Sequence, residues 1–347
     1  MLFDYDNIRS LHIEPTQMCQ AACPMCDRNN YDNGKTNHNL VNAQTGLDFW
    51  RDHIGFEFMS KIRHVNMCGN HGDPIFNTEL LDIIRFFKQA NPKMSIRIAT
   101  NGGKGNKDFW TSLAEMNVRV TFSVDGLEDT NHLYRIGVKW ENVEESMWNF
   151  CSAGGMAMWT FLVFKHNEHQ IEEARQLAKI IGIDRFQTKM SNRFIATPIQ
   201  KAWGHNQIET NYTIEPPENE QYRHPSIDNT MSKEDILNEL MQHPVKCKTA
   251  QFNEIYVSAR GEITPCCWTA AQLWKPFEKK GDNPIWKLID NWEDIVAYHT
   301  PLKEILRGPF FQRLEESMHN SNRLMACNRQ CTAKSNDLIG FQKQWSQ

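Results

Sequence analysis

The sequence predicts an α/β fold: six strand–helix units in an open, partial (β/α)6 barrel, then a small cysteine-rich α+β region. Three observations carry this. Strand-like runs alternate with longer helical patterns from residue 10 to residue 189, which implies βαβ units and a parallel sheet. Four of the strand-like runs end in distinctive loops. The 10 cysteines cluster toward the two ends of the chain.

Taken in order, residues 10–14 alternate and read as a strand. They run directly into Cys19-Gln20-Ala21-Ala22-Cys23-Pro24-Met25-Cys26, a C-x3-C-x2-C triplet. Short cysteine spacings of this kind hold iron–sulfur clusters. Three thiolates leave the fourth iron of a cubane open, as a catalytic rather than a structural site requires. A second strand at 63–67 runs into Cys68-Gly69-Asn70-His71-Gly72-Asp73-Pro74. The next helix takes Asn77 or Thr78 as cap and turns Leu80, Leu81, Ile84 and Phe87 inward. A third strand at 95–99 ends in Thr100-Asn101-Gly102-Gly103, before a short helix at 109–116. A fourth at 118–124 ends in Ser123-Val124-Asp125-Gly126, and a helix at 141–151 is closed by Gly154-Gly155. The fifth strand covers 158–164. The helix after it is capped by Asn167, turns Ile171, Ala174, Leu177 and Ile181 inward, and stops at Gly182. The sixth strand lies at 185–189. Ligands of parallel α/β folds sit at the carboxyl ends of the strands, so the four loops are expected to gather into one site.

Residues 190–246 are rich in Asn, Gln, Glu and Pro and carry more acidic than basic side chains. They read as a long connection with one helix at 233–242, serving as a linker or a substrate cover. The C-terminal part begins at Cys247. A hairpin follows, with strands at 254–258 and 262–268 about the turn Ala259-Arg260-Gly261. Helices are expected at 292–298, 301–306 and 310–318, and the last distinct feature is Cys327-Asn328-Arg329-Gln330-Cys331.

Composition narrows the function. The chain has 347 residues, 40% hydrophobic and 23% charged. A chain of this size can bury about 75% of its unfolded surface, so it needs no covalent staples. A net charge of -4 argues against a general nucleic-acid or anionic-membrane binder. No apolar run is long enough to span a membrane. The N-terminus lacks a basic region followed by an apolar one, so no secretory signal is expected and a cytoplasmic location is. Cysteines in that setting point to metal or redox chemistry rather than disulfides.

With these motifs in place, the chain resembles the radical S-adenosylmethionine (radical SAM) superfamily over nearly its whole length. The C-x3-C-x2-C after the first strand is that superfamily's signature. Gly72-Asp73-Pro74 looks like its Gly-Gly-Glu-Pro element, with Asp in place of Glu. Thr100-Asn101-Gly102, Ser123-Val124-Asp125-Gly126 and His132-Leu133-Tyr134-Arg135 also look like family elements. The C-terminal half resembles the family's SPASM/twitch auxiliary-cluster extension, through Cys247, thirteen residues, Gly261, four residues and Cys266. A full SPASM module needs more cysteines than remain, so the resemblance implies one auxiliary cluster.

The resemblance implies a TIM-like radical SAM core at 1–189, a connecting or substrate-covering segment at 190–246, and an auxiliary-cluster domain at 247–347. It implies a 4Fe-4S cluster on Cys19, Cys23 and Cys26, with S-adenosylmethionine chelated to the open iron and cleaved to a 5′-deoxyadenosyl radical. Met25, Gly72, Asp73, Thr100, Asn101, Ser123 and Arg135 are the implied cofactor contacts. Cys247, Cys266, Cys327 and Cys331 are the implied ligands of an auxiliary 4Fe-4S cluster. The implied reaction is an oxidation of a peptide or protein side chain. A small molecule such as a sugar, aminoglycoside or nucleotide-derived compound is the alternative, and nucleic acid is disfavoured. An electron donor such as flavodoxin or ferredoxin is the implied partner. No peptide-binding domain is expected ahead of the barrel.

Plainer readings stand beside these. The C-terminal four also fit a structural zinc site, and Cys267 competes with Cys266 as a ligand. Cys68 is a low-ranked catalytic candidate whose plain reading is a buried, inert thiol. His71 is similarly placed, with a structural hydrogen-bonding role as its plain reading.

Overall fold

The computed structural model describes residues 2–30, 33–195, 200–203, 209–224, 227, 233–275, 283–320 and 322–335. Parts of the expected 190–246 segment and the end of the expected 247–347 domain therefore lie outside the described residues. Six strands come first: β1 (Ser10–Ile13), β2 (His64–Met67), β3 (Ser95–Thr100), β4 (Val118–Ser123), β5 (Met156–Leu162) and β6 (Arg185–Lys189). They pair in sequence order, all parallel. Later strands are β7 (Gln200–Trp203), β8 (Glu209–Ile214), β9 (Glu254–Val257) and β10 (Ile263–Thr264). The main sheet has eight strands in the order β10-β9-β1-β2-β3-β4-β5-β6. Its two edges, β10 and β6, do not meet, so the barrel is open.

Burial alternates along β3, while β1, expected to alternate, is buried at all four positions. Ile96 and Ile98 on β3, and Val118, Val120 and Phe122 on β4, face the helices and are fully buried. The helices cover them: α1 (Phe56–Lys61), α2 (Leu80–Ala90), α3 (Lys107–Glu115), the single turn α4 (Asn131–Tyr134), α5 (Trp140–Ser152) and α6 (Ile171–Ile181). Trp110 of α3 packs against Phe122 at a 5.3 Å ring separation, and Phe122 against Phe150 of α5 at 6.1 Å. The other face of the strands is polar. It presents Ser10 and His12, His64 and Asn66, Ser95 and Arg97, and Arg119 to an interior cavity. A closed barrel of this type fills that space with layers of branched apolar residues; this one does not.

Local details depart from expectation for physical reasons. In α2 the second buried position is Ile83, not Leu81. In α6 the third is Ala178, not Leu177. A helix offset of one residue rotates the buried stripe by about 100°. Glu79 is the cap residue of α2, with the Asn77 side chain accepting from its backbone N–H. Asn167 holds the N-cap position of the 3-10 turn Glu168–Gln170 that leads into α6, but without a side-chain cap bond; its amide donates to the carbonyls of Asp125 and Leu162 and ties β4's exit to β5. Gly182 does end α6, in the left-handed conformation at φ 92°.

The connecting region contributes α7 (Lys233–Met241) and the β7–β8 hairpin, which polar composition had masked. The C-terminal hairpin turns at Gly261, φ 80°, where an added Cβ would lie 2.7 Å from the Tyr298 ring. β9 then joins β1 in parallel, Ser10 opposite Glu254 and Ile13 opposite Val257. The hairpin therefore extends the barrel sheet past its first strand. Around it lie α8 (Lys248–Gln251), α9 (Cys267–Ala270), α10 (Leu302–Arg307), α11 (Pro309–Ser317) and α12 (Met325–Cys331). No helix among the described residues is long and apolar enough to cross a membrane.

Candidate active site and a second cysteine centre

The loops after β1, β2, β3 and β4 meet at the carboxyl edge of the sheet. The cysteine loop is anchored by the Ala22 N–H on the Ile136 carbonyl, 2.8 Å, and the Asn29 amide on the Cys23 carbonyl, 3.3 Å. Cys23 is buried, while Cys19 and Cys26 are partly exposed. Donors point at two of the sulfurs. Asn101 Nδ2 lies 3.6 Å and the Ala21 N–H 3.4 Å from Cys19 Sγ, and Arg135 Nη1 lies 3.8 Å from Cys23 Sγ. Burial pushes the Cys23 thiol up to about 11 and raises Cys19 and Cys26 as well. Three thiols packed together where thiolates are disfavoured fit a site whose ligands lose their protons when metal arrives.

Asp73 sits behind this loop. It is 5% exposed. Its carboxylate accepts from the Asn101 N–H (2.7 Å), the Thr100 hydroxyl (3.0 Å) and the Ile75 N–H (3.3 Å). Burial raises its carboxyl pKa, and these donors oppose the rise. Asp73 therefore ties the β2 loop to the β3 loop. The Thr100 hydroxyl is spent on Asp73 and on the Gly102 N–H. Asn101 reaches Gln20 and Cys19 of the cysteine loop. Gly72 is obligatory: a Cβ there would lie 1.9 Å from the backbone oxygen of Thr16.

Arg135 donates to Asp125 at 2.6 Å. Burial works against its charge, but Asp125 and the Cys23 sulfur outweigh it and hold the guanidinium ionised. Asp125 also accepts from the Leu162 N–H, 2.7 Å, which fixes β4's exit against β5. Ser123 ends β4 half-buried, with the Thr160 hydroxyl 3.5 Å away. Met25 is buried in the core. Cys68 ends β2 with its thiol pushed up to about 11 by burial. His71 is 4% exposed, with its Nδ1 3.7 Å from the Glu14 carboxylate.

Sequence reasoning missed several groups here. Lys189 ends β6; burial lowers its ammonium pKa, while Cys68 and Asp125 act the other way. The register of β5 with β6, Thr160 opposite Gln187, puts Lys189 on the face that carries Ser123; alternation along β6 was the available signal. Glu14 was also missed. It is 2% exposed and accepts from the His71 N–H (2.6 Å), the Gly72 N–H (3.1 Å) and the Tyr256 hydroxyl (3.0 Å). Burial alone would raise its pKa; His71 and the two backbone donors hold it below the ordinary value. Asn70 bonds the Tyr256 hydroxyl (3.2 Å) and the Cys267 carbonyl (2.9 Å). This polar chain joins the β2 loop to the C-terminal cysteines.

Cys247, Cys266, Cys327 and Cys331 line one small pocket. Cys267 lines the barrel cavity instead, which separates the two neighbours. Cys327 and Cys331 lie one turn apart on α12, while Cys247 and Cys266 occupy the cap positions of α8 and α9. The Thr249 and Thr269 hydroxyls lie 3.4 and 3.1 Å from the Cys247 and Cys266 sulfurs. Backbone N–H groups of both turns act in the same direction. Hydrogen bonds to sulfur of this kind tune iron–sulfur clusters. Among the described residues no three ligand-type side chains are placed to hold a single metal ion.

A parallel, open α/β barrel with a cysteine triplet at its carboxyl edge defines the class. Residues 13–178 match the family model described as the Radical SAM superfamily. That stretch, just under half of the chain, is where the likeness to the superfamily is shown. No curated protein matches it. Streptococcus suis SuiB bound to S-adenosylmethionine is 14% identical, with a TM-score of 0.53 over 90% of this chain and 70% of that one. Against another SuiB crystal structure the chain spans 64% of the SuiB length. anSMEcpe with bound AdoMet is 13% identical, with a TM-score of 0.53 over 95% of this chain and 87% of that one. At these identities the likeness establishes the fold.

Proposed function

We propose that the protein is a radical SAM oxidoreductase that abstracts hydrogen from a peptide or protein side chain and passes an electron through its second cysteine centre. The observation that carries this reading is the convergence of Asn101 and Arg135 on the sulfurs of Cys19 and Cys23 at the strand ends. When bound there, a 4Fe-4S cluster and S-adenosylmethionine would supply an electron and a 5′-deoxyadenosyl radical. Every other task falls to the chain. Cys19, Cys23 and Cys26 hold the cluster. Asn101 and Arg135 place N–H groups on its thiolates, which favours the reduced form. Ser123 and Arg135 orient the methionine carboxylate and ribose, Gly72 and the Asp73 backbone approach the amino group, and Met25 packs beside the adenine. Lys189, projecting from β6, is the group placed to move a proton at the substrate.

Cys247, Cys266, Cys327 and Cys331 hold an auxiliary 4Fe-4S cluster in a four-thiolate, closed site suited to electron transfer. The proposed division is a core at 1–189, a covering segment at 190–246 and an auxiliary-cluster part at 247–347. The proposed electron donor is flavodoxin or ferredoxin. SuiB has been solved with its precursor peptide SuiA, and anSMEcpe with a Cp18Cys peptide; both support a peptide substrate. The test is anaerobic reconstitution with iron and sulfide, then S-adenosylmethionine and dithionite. Release of 5′-deoxyadenosine by the native chain, and none by Cys23→Ala, is expected. No release by a native chain that has taken up iron overturns the reading.

A further inference from the structure

The polar interior of the barrel holds a cavity of about 410 Å³ below the cysteine loop. β1 to β4 form one wall through Ser10, His12, His64, Asn66, Arg97 and Arg119. Lys248, Glu254, Cys266 and Trp268 form the other. The cavity thus lies under the first cysteine centre and shares Cys266 with the second. Arg97 and Arg119 occupy directly opposed positions on β3 and β4. Neither guanidinium has a hydrogen bond or ion pair among the described residues. Like charges set opposite each other in a sheet are destabilising, and nothing in the packing offsets this pair. Burial first, then the Arg119 charge, lowers the pKa of Arg97. Lys248 and His64 face the same space, against one carboxyl, Glu254.

We propose that this cavity is an anion-binding pocket and that Arg97 and Arg119 select a ligand bearing an oxyanion, a carboxylate or a phosphate. Paired guanidinium groups bind both in bidentate fashion. Arg97 lies four residues along β3 from Asn101, so at the usual strand rise the anchor sits about 13 Å below the cysteine loop. Arg119 is exposed, so the pocket is reachable from solvent. The anion binding does not rest on the proposed radical chemistry.

The experiment is titration calorimetry on the reconstituted full-length chain, with succinate as the carboxylate probe and inorganic phosphate as the other. Saturable binding of at least one is expected, and whichever binds identifies the oxyanion. Arg97→Gln and Arg119→Gln should each weaken it about tenfold or more, the worth of one charge-assisted contact. Arg85→Gln, at an exposed helix ion pair with Asp82, should not. Because Arg119 is exposed, its substitution keeps the test open if Arg97→Gln fails to fold. Absence of saturable binding by either probe, or unchanged affinity in Arg119→Gln, overturns the proposal. Failure of the native chain to release 5′-deoxyadenosine sinks the radical chemistry and leaves the anion pocket standing; the reverse result does the opposite.

Discussion

Replacing Asp73 by alanine separates a brace from a ligand contact. The carboxylate takes three donors, the N–H groups of Asn101 and Ile75 and the Thr100 hydroxyl, at 2.7, 3.3 and 3.0 Å. A buried donor left without an acceptor costs about 1–3 kcal/mol. The hydroxyl can rotate, and deleting a buried carboxyl recovers part of its desolvation penalty. The Ile75 bond is long and contributes least. The net loss comes to about 3 kcal/mol, a large share of the roughly 5–15 kcal/mol that holds a domain together. Urea unfolding of the iron-free chain at neutral pH measures it. Asp73→Asn keeps one acceptor oxygen and should lose about 1 kcal/mol. A brace predicts that stability and iron uptake fall together, because Asn101 then loses its hold beside Cys19. If Asp73→Ala unfolds at the native urea concentration while 5′-deoxyadenosine release collapses, Asp73 acts on the cofactor and the brace argument is wrong.

Two further outcomes are expected. His166 stacks on Phe164 at 5.3 Å, and its buried Nε2 has no hydrogen-bond partner. Burial first, then the neighbouring charges of His169 and His132, lowers its pKa to about 4. A folded value below the unfolded one means that stability is full above about pH 6.5 and is lost as pH falls toward 4. The contribution reaches about 3 kcal/mol, at 1.36 per unit. His166→Phe should flatten the stability curve between pH 6.5 and 4 in urea titrations; an unchanged slope refutes the assignment. Cys327→Ser should lower iron from about eight to about four per reconstituted chain, one cubane rather than two, while substrate-free 5′-deoxyadenosine release persists. Undiminished iron would show that Cys327 is no ligand.

Much of the barrel could be read directly. β6 spans the residues that alternation assigned to it, 185–189, because its pattern is short and bounded by Gly182. β5 begins two residues earlier than expected, since Met156 and Ala157 carry no strand signal of their own and are ordered by pairing with Arg119 and Val120. The triplet at Cys19 and the loop at Gly72 were legible because sharp backbone turns and metal ligands restrict residue choice. Glu14, Tyr256 and Lys189 were not. Each is an ordinary strand residue, and its importance comes from what lies across the sheet from it.

The sequence by itself determined the order of the six barrel strands and their helices, the edge at which the loops gather, and where the cysteines cluster along the chain. These depend on periodicity and on local spacing, which a linear chain records. Tertiary structure alone decided that β9 lies beside β1. It alone set Arg97 against Arg119 within an unfilled barrel. Those outcomes depend on register and on contacts between residues as far apart as Glu14 and Tyr256, and no pattern within one segment encodes them.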